Sequence, residues 1–337
     1  MKALLTIRNR IETFYGRFPM IIRYVLRLLI SFFVLLAVRN ALGYNTIISE
    51  LWFIIIYSVV CVFVPGRILP LVLGAYTGVQ IITLNLGVGI TAFIIILLAY
   101  LLYLRLNSAF GYVLLLMVLT FVIRIPLLIP LVLAICAPVS SVAVVISATV
   151  IYYMLHYISV NSAVIAGYAD SGWTTAATMF VNGLITSRDF IYTLILLILV
   201  FFIVYYVKKI NMNHANDMAA AVGTGAYIIL SLITNVILNA LTFQRLRVVL
   251  IGSILALIIA VIAEKIILPV DFTKAELTEF DDDEYHYFVR AVPKVALDRE
   301  TVHITRISGR RRTTPAKDTE NTEETAAVSG SREEKES

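Results

Sequence analysis

Residues 125–158 read IPLLIPLVLAICAPVSSVAVVISATVIYYMLHYI, and this stretch decides how the chain is organised. It holds no Lys, Arg, Asp or Glu, yet Pro126, Pro130 and Pro138 interrupt its first half. A helix spanning a bilayer needs about 20 mainly apolar residues, and an internal proline removes a backbone donor and clashes with the preceding turn. The strip 125–137 is therefore too short to cross alone. Two readings stay open: a half-helix that returns through 139–158 as a hairpin turning near Pro138, or one Pro-kinked span.

On either side of this stretch lie further apolar runs, at 19–38, 51–64, 68–84, 88–104, 109–123, 190–207, 225–243 and 248–268. The chain has 337 residues, 60% hydrophobic and 15% charged, with mean hydropathy +0.91. A soluble domain is about 45–50% apolar and about 25% charged, so the composition excludes one. The expected fold class is an all-α polytopic membrane protein: about eight transmembrane helices plus the Pro-bracketed hairpin or kinked element, a small cytoplasmic β-rich tail and a disordered C-terminus. The expected organisation is an amphipathic interfacial helix over 1–18, a transmembrane bundle over 19–268, a tail module with a possible β-hairpin over 269–307, and a disordered tail over 308–337.

Charge divides the chain in two. Residues 1–268 hold 16 Lys or Arg against 6 Asp or Glu, whereas 269–337 hold 11 against 16. The basic excess lies at the ends of apolar runs, where it marks cytoplasmic loops and lipid headgroups; nucleic acid is not the implied partner. Placing the amino terminus inside collects Lys2, Arg8, Arg10, Arg17, Arg67, Arg105, Lys208, Lys209 and the tail on the cytoplasmic side. Arg39, Arg124, Arg188, Arg245 and Arg247 then lie outside. That orientation, in a cytoplasmic (plasma) membrane, makes 125–158 enter and leave on one face, as the hairpin reading requires.

Two segments read as lying along the membrane. In 2–18, Leu4, Ile7, Ile11, Phe14 and Phe18 recur at helical spacing while basic residues fall mainly elsewhere, the pattern of an interfacial helix on anionic lipid. In 170–185, Trp173, Ala176, Ala177, Phe180, Val181, Leu184 and Ile185 make one helical face, opposite Ser171, Thr174, Thr175, Thr178 and Asn182, with Asp170 or Ser171 as N-cap. This helix is either a lid over the outer mouth, through Trp173, Thr174, Thr178 and Asn182, or a plain connector. In the tail, Tyr285–Leu297 and Thr301–Ile307 are expected to pair as strands.

The candidate chemistry is mostly neutral. Of the six acids before the tail, five fall outside the spans and Glu264 lies beside Lys265 near a span end, so the buried carboxylate pathway of an ion-coupled carrier is not expected. Ser231, Asn235, Asn239 and Thr242 follow at spacings of 4, 4 and 3, one stripe of a helix, which serves either as a solute path or as interhelical hydrogen bonding. Gly74 and Gly78 form a GxxxG that permits close helix packing, and Gln80 and Asn85 beyond it are further path candidates. Arg124 either snorkels at the interface or, in a kinked span, is buried and must be paired. Cys61, Cys136 and the scattered histidines suggest no metal site; no cofactor is expected, and no enzyme motif is present. Asp217–Gly223 faintly echoes the Ala-rich coupling loop of permeases driven by separate ATPases. Asp281, Asp282, Asp283 and Glu284 form an acidic block that either docks a basic protein partner or is a solvated face.

The strip Phe280–Lys294, FDDDEYHYFVRAVPK, resembles the juxtamembrane tail of an uncharacterised family of bacterial polytopic membrane proteins. The resemblance covers 15 residues, implies a bacterial cytoplasmic membrane and transfers no site. The function expected is a transport or export component, acting as a small-solute permease or channel or as the membrane subunit of a larger complex. The alternative is a non-transporting scaffold whose tail recruits partners.

Overall fold

The computed structural model describes residues 16–107, 111–168, 172–210, 215–238, 242–267, 276–281 and 286–291. Its body is a helical bundle: α1 (Pro19–Leu42), α2 (Leu51–Phe63), α3 (Leu69–Ile82), α4 (Leu86–Asn107), α5 (Gly111–Val122), α6 (Leu128–Cys136), α7 (Val142–Val160), α8 (Ser162–Gly167), α9 (Trp173–Thr186), α10 (Arg188–Lys208), α11 (Ala215–Ile237) and α12 (Phe243–Ile267). Successive long elements run antiparallel. Arg27 Nε donates to Tyr112 Oη at 2.7 Å and its guanidinium reaches the Val62 carbonyl at 3.2 Å, fixing the near end, where α1 begins. At the far end, Gln80 holds the loop after α1, and Tyr44 Oη donates to the Ile158 carbonyl at 3.4 Å.

Among the described residues, five segments are long and apolar enough to cross a bilayer: Pro19–Leu42, Val139–Val160, Arg188–Lys208, Ala215–Ile237 and Phe243–Ile267, with mean hydropathy between 1.7 and 2.8. Their surfaces carry exposed stripes of large apolar residues, such as Ile251, Ile254, Ile258 and Ile262 on α12. Stripes of this size would be costly in water and are at rest in lipid. The chain is thus a helical assembly compatible with a multi-pass integral membrane protein. The expectation of eight full spans is not met by length. The apolar helices α2, α3 and α5 have 13, 14 and 12 residues, about 20 Å at 1.5 Å per residue against a hydrocarbon core of about 30 Å. Proline sets some of these limits: Val64 before Pro65 is extended, ending α2, and Pro70 opens α3.

The Pro-rich stretch folds back on itself. α5 ends at Val122 and is closed by a turn through Arg124, whose φ of 66° places it in the left-handed region. There the Arg124 N–H bonds the Phe121 carbonyl at 3.0 Å and the Ile125 N–H bonds the Thr120 carbonyl at 2.8 Å, a Schellman closure followed by Pro126. The nine-residue α6 then descends to the near end, where Lys208 Nζ donates to the Ile135 carbonyl. Ala137 and Pro138 are extended, a 3-10 turn covers Val139–Ser141, and α7 rises back to the level of Arg124. Tyr152 and His156 share a cavity with Arg124, so 125–158 is a hairpin turning at Pro138 rather than one kinked span.

The small residues of the GxxxG allow α3 and α4 to touch. A Cβ on Gly74 would lie 2.6 Å from Ile96 Cγ2, and one on Gly78 3.1 Å from the Phe93 ring. The Ala-rich run Asp217–Gly223 is not a loop: it forms the first turns of α11, with Ala219, Ala220 and Gly223 buried. Good helix formers lengthen that helix backwards from 225 to 215. In the tail, β1 (Glu276–Asp281) pairs antiparallel with β2 (His286–Ala291), from Glu276 opposite Ala291 to Asp281 opposite His286. The pairing differs from the expected one: β2 comes from the strip after the acidic run, but its partner is the segment before it. The strip 301–307, the amino-terminal segment 1–15 and the tail 308–337 lie outside the described residues.

Candidate functional site

At the far end, two cavities meet at one aromatic partition. The larger, about 440 Å³, lies between α1, α5 and α7 and is lined by Asn40, Arg124, Tyr152, His156 and Ser159 among apolar side chains. The smaller, about 260 Å³, lies between α7, α10, α11 and α12, and its polar lining includes Tyr153, Asp189, Ser231, Asn235 and Arg245. Tyr152 and His156 belong to both. Their rings stack at 6.0 Å and 4°, and the Phe121 ring stacks on Tyr152 at 4.6 Å, so α5 and α7 hold the partition from one side.

The smaller cavity gathers hydrogen-bonding groups from four helices. Tyr153 Oη and Thr193 Oγ1 are 2.7 Å apart, tying α7 to α10. Asn235 Nδ2 donates to the Ser231 carbonyl at 2.8 Å, a bond within α11, and no described residue engages its Oδ1. Asp189 and Arg245 line the same wall without forming an ion pair with each other. Such a chamber offers hydroxyl, amide, guanidinium and carboxylate groups within an otherwise apolar bundle, the mixture that orients a small polar solute.

Arg124, Ser231 and Asn235 are the sequence candidates that reach the two cavities. The stripe expected to continue through Asn239 and Thr242 is broken, because α11 ends at Ile237; Asn239 lies outside the described residues, and Thr242 is exposed where its carbonyl receives the Leu246 N–H at 3.0 Å. Gln80 and Asn85 are occupied elsewhere. The wholly buried Gln80 accepts the Asn45 N–H at 3.0 Å and donates to Ser49 Oγ and Tyr76 Oη at 3.0 and 3.2 Å. Asn85 caps α4, accepting from the Gly87 and Val88 N–H groups at 2.9 and 3.2 Å and donating to the Ile165 carbonyl.

The lid candidates Trp173, Thr174, Thr178 and Asn182 are exposed on α9. The opposite stripe of Ala176, Phe180 and Leu184 packs down, with the Phe180 ring 5.9 Å from Tyr157. The helix begins after Gly172, at φ 83°, instead of the expected Asp170 or Ser171 cap; those two residues lie outside the described ones. No α9 residue lines either cavity. Among the docking candidates, Asp281 ends β1, and Asp282, Asp283 and Glu284 lie outside the described residues.

Sequence reasoning missed Tyr153, Tyr227, Thr193 and the Asp189 and Arg245 wall. Tyrosines inside apolar runs were the available signal, because a buried phenol seeks a partner. Glu264 lies near the end of α12 as expected, but its side chain is 4% exposed. Lys265 Nζ stands 3.0 Å from Asp217 Oδ1 and 3.4 Å from Glu264 Oε1, joining α11 to α12 at the near end. Glu264 Oε2 has no hydrogen-bond partner among the described residues. No metal-binding group of three or more ligands occurs among the described residues.

No family model, curated protein or solved structure matches the chain. The functional reading therefore rests on this geometry.

Proposed function

We propose that the protein is a membrane-embedded transport component, non-enzymatic, that admits a small polar or anionic solute at the far end of the bundle. The observation that carries the reading is the pair of adjoining cavities that meet at Tyr152 and His156, lined by polar groups drawn from separate helices. Two arginines, Arg124 and Arg245, against the single acid Asp189 favour a neutral or anionic solute over a cation. In this reading the protein sits in a bacterial cytoplasmic membrane, the near end faces the cytoplasm with both termini, and the far end opens outward. The protein works alone or as the membrane subunit of a larger complex.

The test is swelling of proteoliposomes in iso-osmotic glycerol, glycine, acetate or phosphate. At least one solute should enter faster than into empty vesicles, and Asn235→Leu should slow its entry about tenfold, the loss of one good polar contact. Entry of none of the four, or entry indifferent to Asn235→Leu, would sink the reading.

A second reading, a scaffold that recruits partners through its tail, is favoured by the position of the acidic block between paired strands, with Asp281 and His286 closing the ladder. It expects partners that co-purify with the full chain and are lost on deleting 271–307, with no effect of Asn235→Leu.

A further inference from the structure

A lateral groove of about 600 Å³ runs between the α5–α6 turn and α12, distinct from the two cavities just described except that Arg124 lines both it and the larger one. Arg124, Gln244 and Arg247 supply its polar lining; Ile123, Ile125, Val248, Ile251 and Leu255 supply the rest, with Gly252 at its base. No acidic residue lines it. The Arg124 guanidinium has no hydrogen bond or ion pair with any described residue, and the guanidinium of Arg247 rests over the Phe243 ring at 4.9 Å.

The geometry separates charge from oil. Arg247, Ile251 and Leu255 fall four residues apart, one stripe of α12 that extends about 12 Å from the arginine. Ile251 and Leu255 are exposed, at 57% and 42%. The turn bearing Arg124 approaches this helix closely because position 252 is glycine: a Cβ there would lie 2.9 Å from the Arg124 carbonyl oxygen. Arg124 also holds a left-handed backbone that costs a non-glycine residue roughly 1–2 kcal/mol. Glycine would fit that Schellman position without strain, so it is the side chain, not the turn, that calls for arginine here.

Two cations without a counter-ion among the described residues, set at the head of an apolar rail open to the bilayer, suit an anion that brings its own hydrocarbon. We propose that this groove binds one anionic membrane lipid, its phosphate between Arg124 and Arg247 and a chain along Val248, Ile251 and Leu255. Guanidinium suits this task through its planar, multiply donating face. The groove shares Arg124 with the larger cavity but extends along α12, and its lipid is tested apart from solute entry.

The experiment is native mass spectrometry of the full chain in mild detergent, titrated in parallel with phosphatidylglycerol and phosphatidylcholine of identical chains. The intact protein should retain one phosphatidylglycerol at least about tenfold more tightly than phosphatidylcholine, as expected for a charge-assisted contact. Arg124→Gly, which keeps the turn, and Arg247→Gln should each bring the two lipids close to parity, while Arg124→Lys retains part of the preference. A folded, monodisperse Arg124→Gly protein that still prefers phosphatidylglycerol as the parent does would overturn the proposal. So would a parent chain that holds both lipids equally, or displacement of the bound lipid by inorganic phosphate alone, which would show that the rail contributes nothing.

Discussion

Arg124 shows how far a single residue can be read. The sequence marks it as a charge between apolar strips and leaves open whether it is buried and paired; the left-handed backbone and the Schellman closure become visible only when Thr120 and Phe121 are seen to receive the bonds that end α5. Arg124→Gly should leave thermal stability in detergent unchanged or slightly raised, because relief of strain and the entropy of a new glycine nearly cancel. Arg124→Val, β-branched at positive φ, should lower it by roughly 1–3 kcal/mol. A melting curve for each variant decides the matter: equal losses in both would mean that the side chain, not the backbone, sets stability there. Gln80 is the opposite case, a polar residue in an apolar run that looked available for a solute. Its amide instead pins the 43–50 loop, and Gln80→Leu strands the Asn45 N–H and removes the donor to Ser49 Oγ and Tyr76 Oη, the latter keeping its bond to the Ile48 carbonyl. A loss of about 2 kcal/mol or more is expected, with greater proteolysis between Gly43 and Glu50. An unaltered loop would show that water replaces the amide.

Elements were legible where local chemistry dictates them and illegible where packing does. The three prolines announce a broken helix, and the turn at Pro138 lies where the sequence puts it, since proline's missing donor and the extended residue before it act whatever surrounds them. The lengths of α2, α3 and α5 were not legible, because an apolar run has no periodicity to mark where a helix stops within it. Nor was the end of α11 at Ile237, which takes Asn239 and Thr242 off the stripe that begins at Ser231 and Asn235. The apolar face of α9 was visible at helical spacing, but its seat was not. That seat depends on Gly87, where a Cβ would lie 2.4 Å from the Trp173 carbonyl oxygen, a backbone atom with little room to yield. Gly87→Val should therefore lift the start of α9 and raise cleavage or hydrogen exchange around residues 172–176. Gly183→Ala meets first the hydroxyl end of the Tyr157 side chain, which can turn aside, and should be milder. If Gly87→Val left α9 as protected as in the parent, the helix would be anchored by Phe180 alone.

At the scale of the whole molecule, the antiparallel order of helices ties every loop to one of two ends, so a single measurement of sidedness orients all of them. Asn45 and Val160 belong to the far end; Arg67 and Lys209 belong to the near end. The near end holds Arg17, Arg67, Lys208 and Lys209, which under the rule that basic residues stay in the cytoplasm favours the orientation proposed above. The far end is not bare of cations, however: Arg124, Arg245 and Arg247 gather around the cavities and the groove. A count of Lys and Arg along the sequence weighs these as loop charges, whereas the fold sets them against hydrocarbon and polar chambers, where an anion can hold them. That is why the bias looks modest in sequence and should prove decisive in the membrane. Single cysteines at 45 and 160 should react in intact cells with a membrane-impermeant maleimide, in a chain whose Cys61 and Cys136 are replaced by alanine. Cysteines at 67 and 209 should react only after permeabilisation. The reverse pattern would turn the cavities toward the cytoplasm and make uptake from inside, not outside, the step in which Tyr152 and His156 take part. Labelling at both ends in intact cells would mean that the helices do not carry the chain across the bilayer in the order in which they pack.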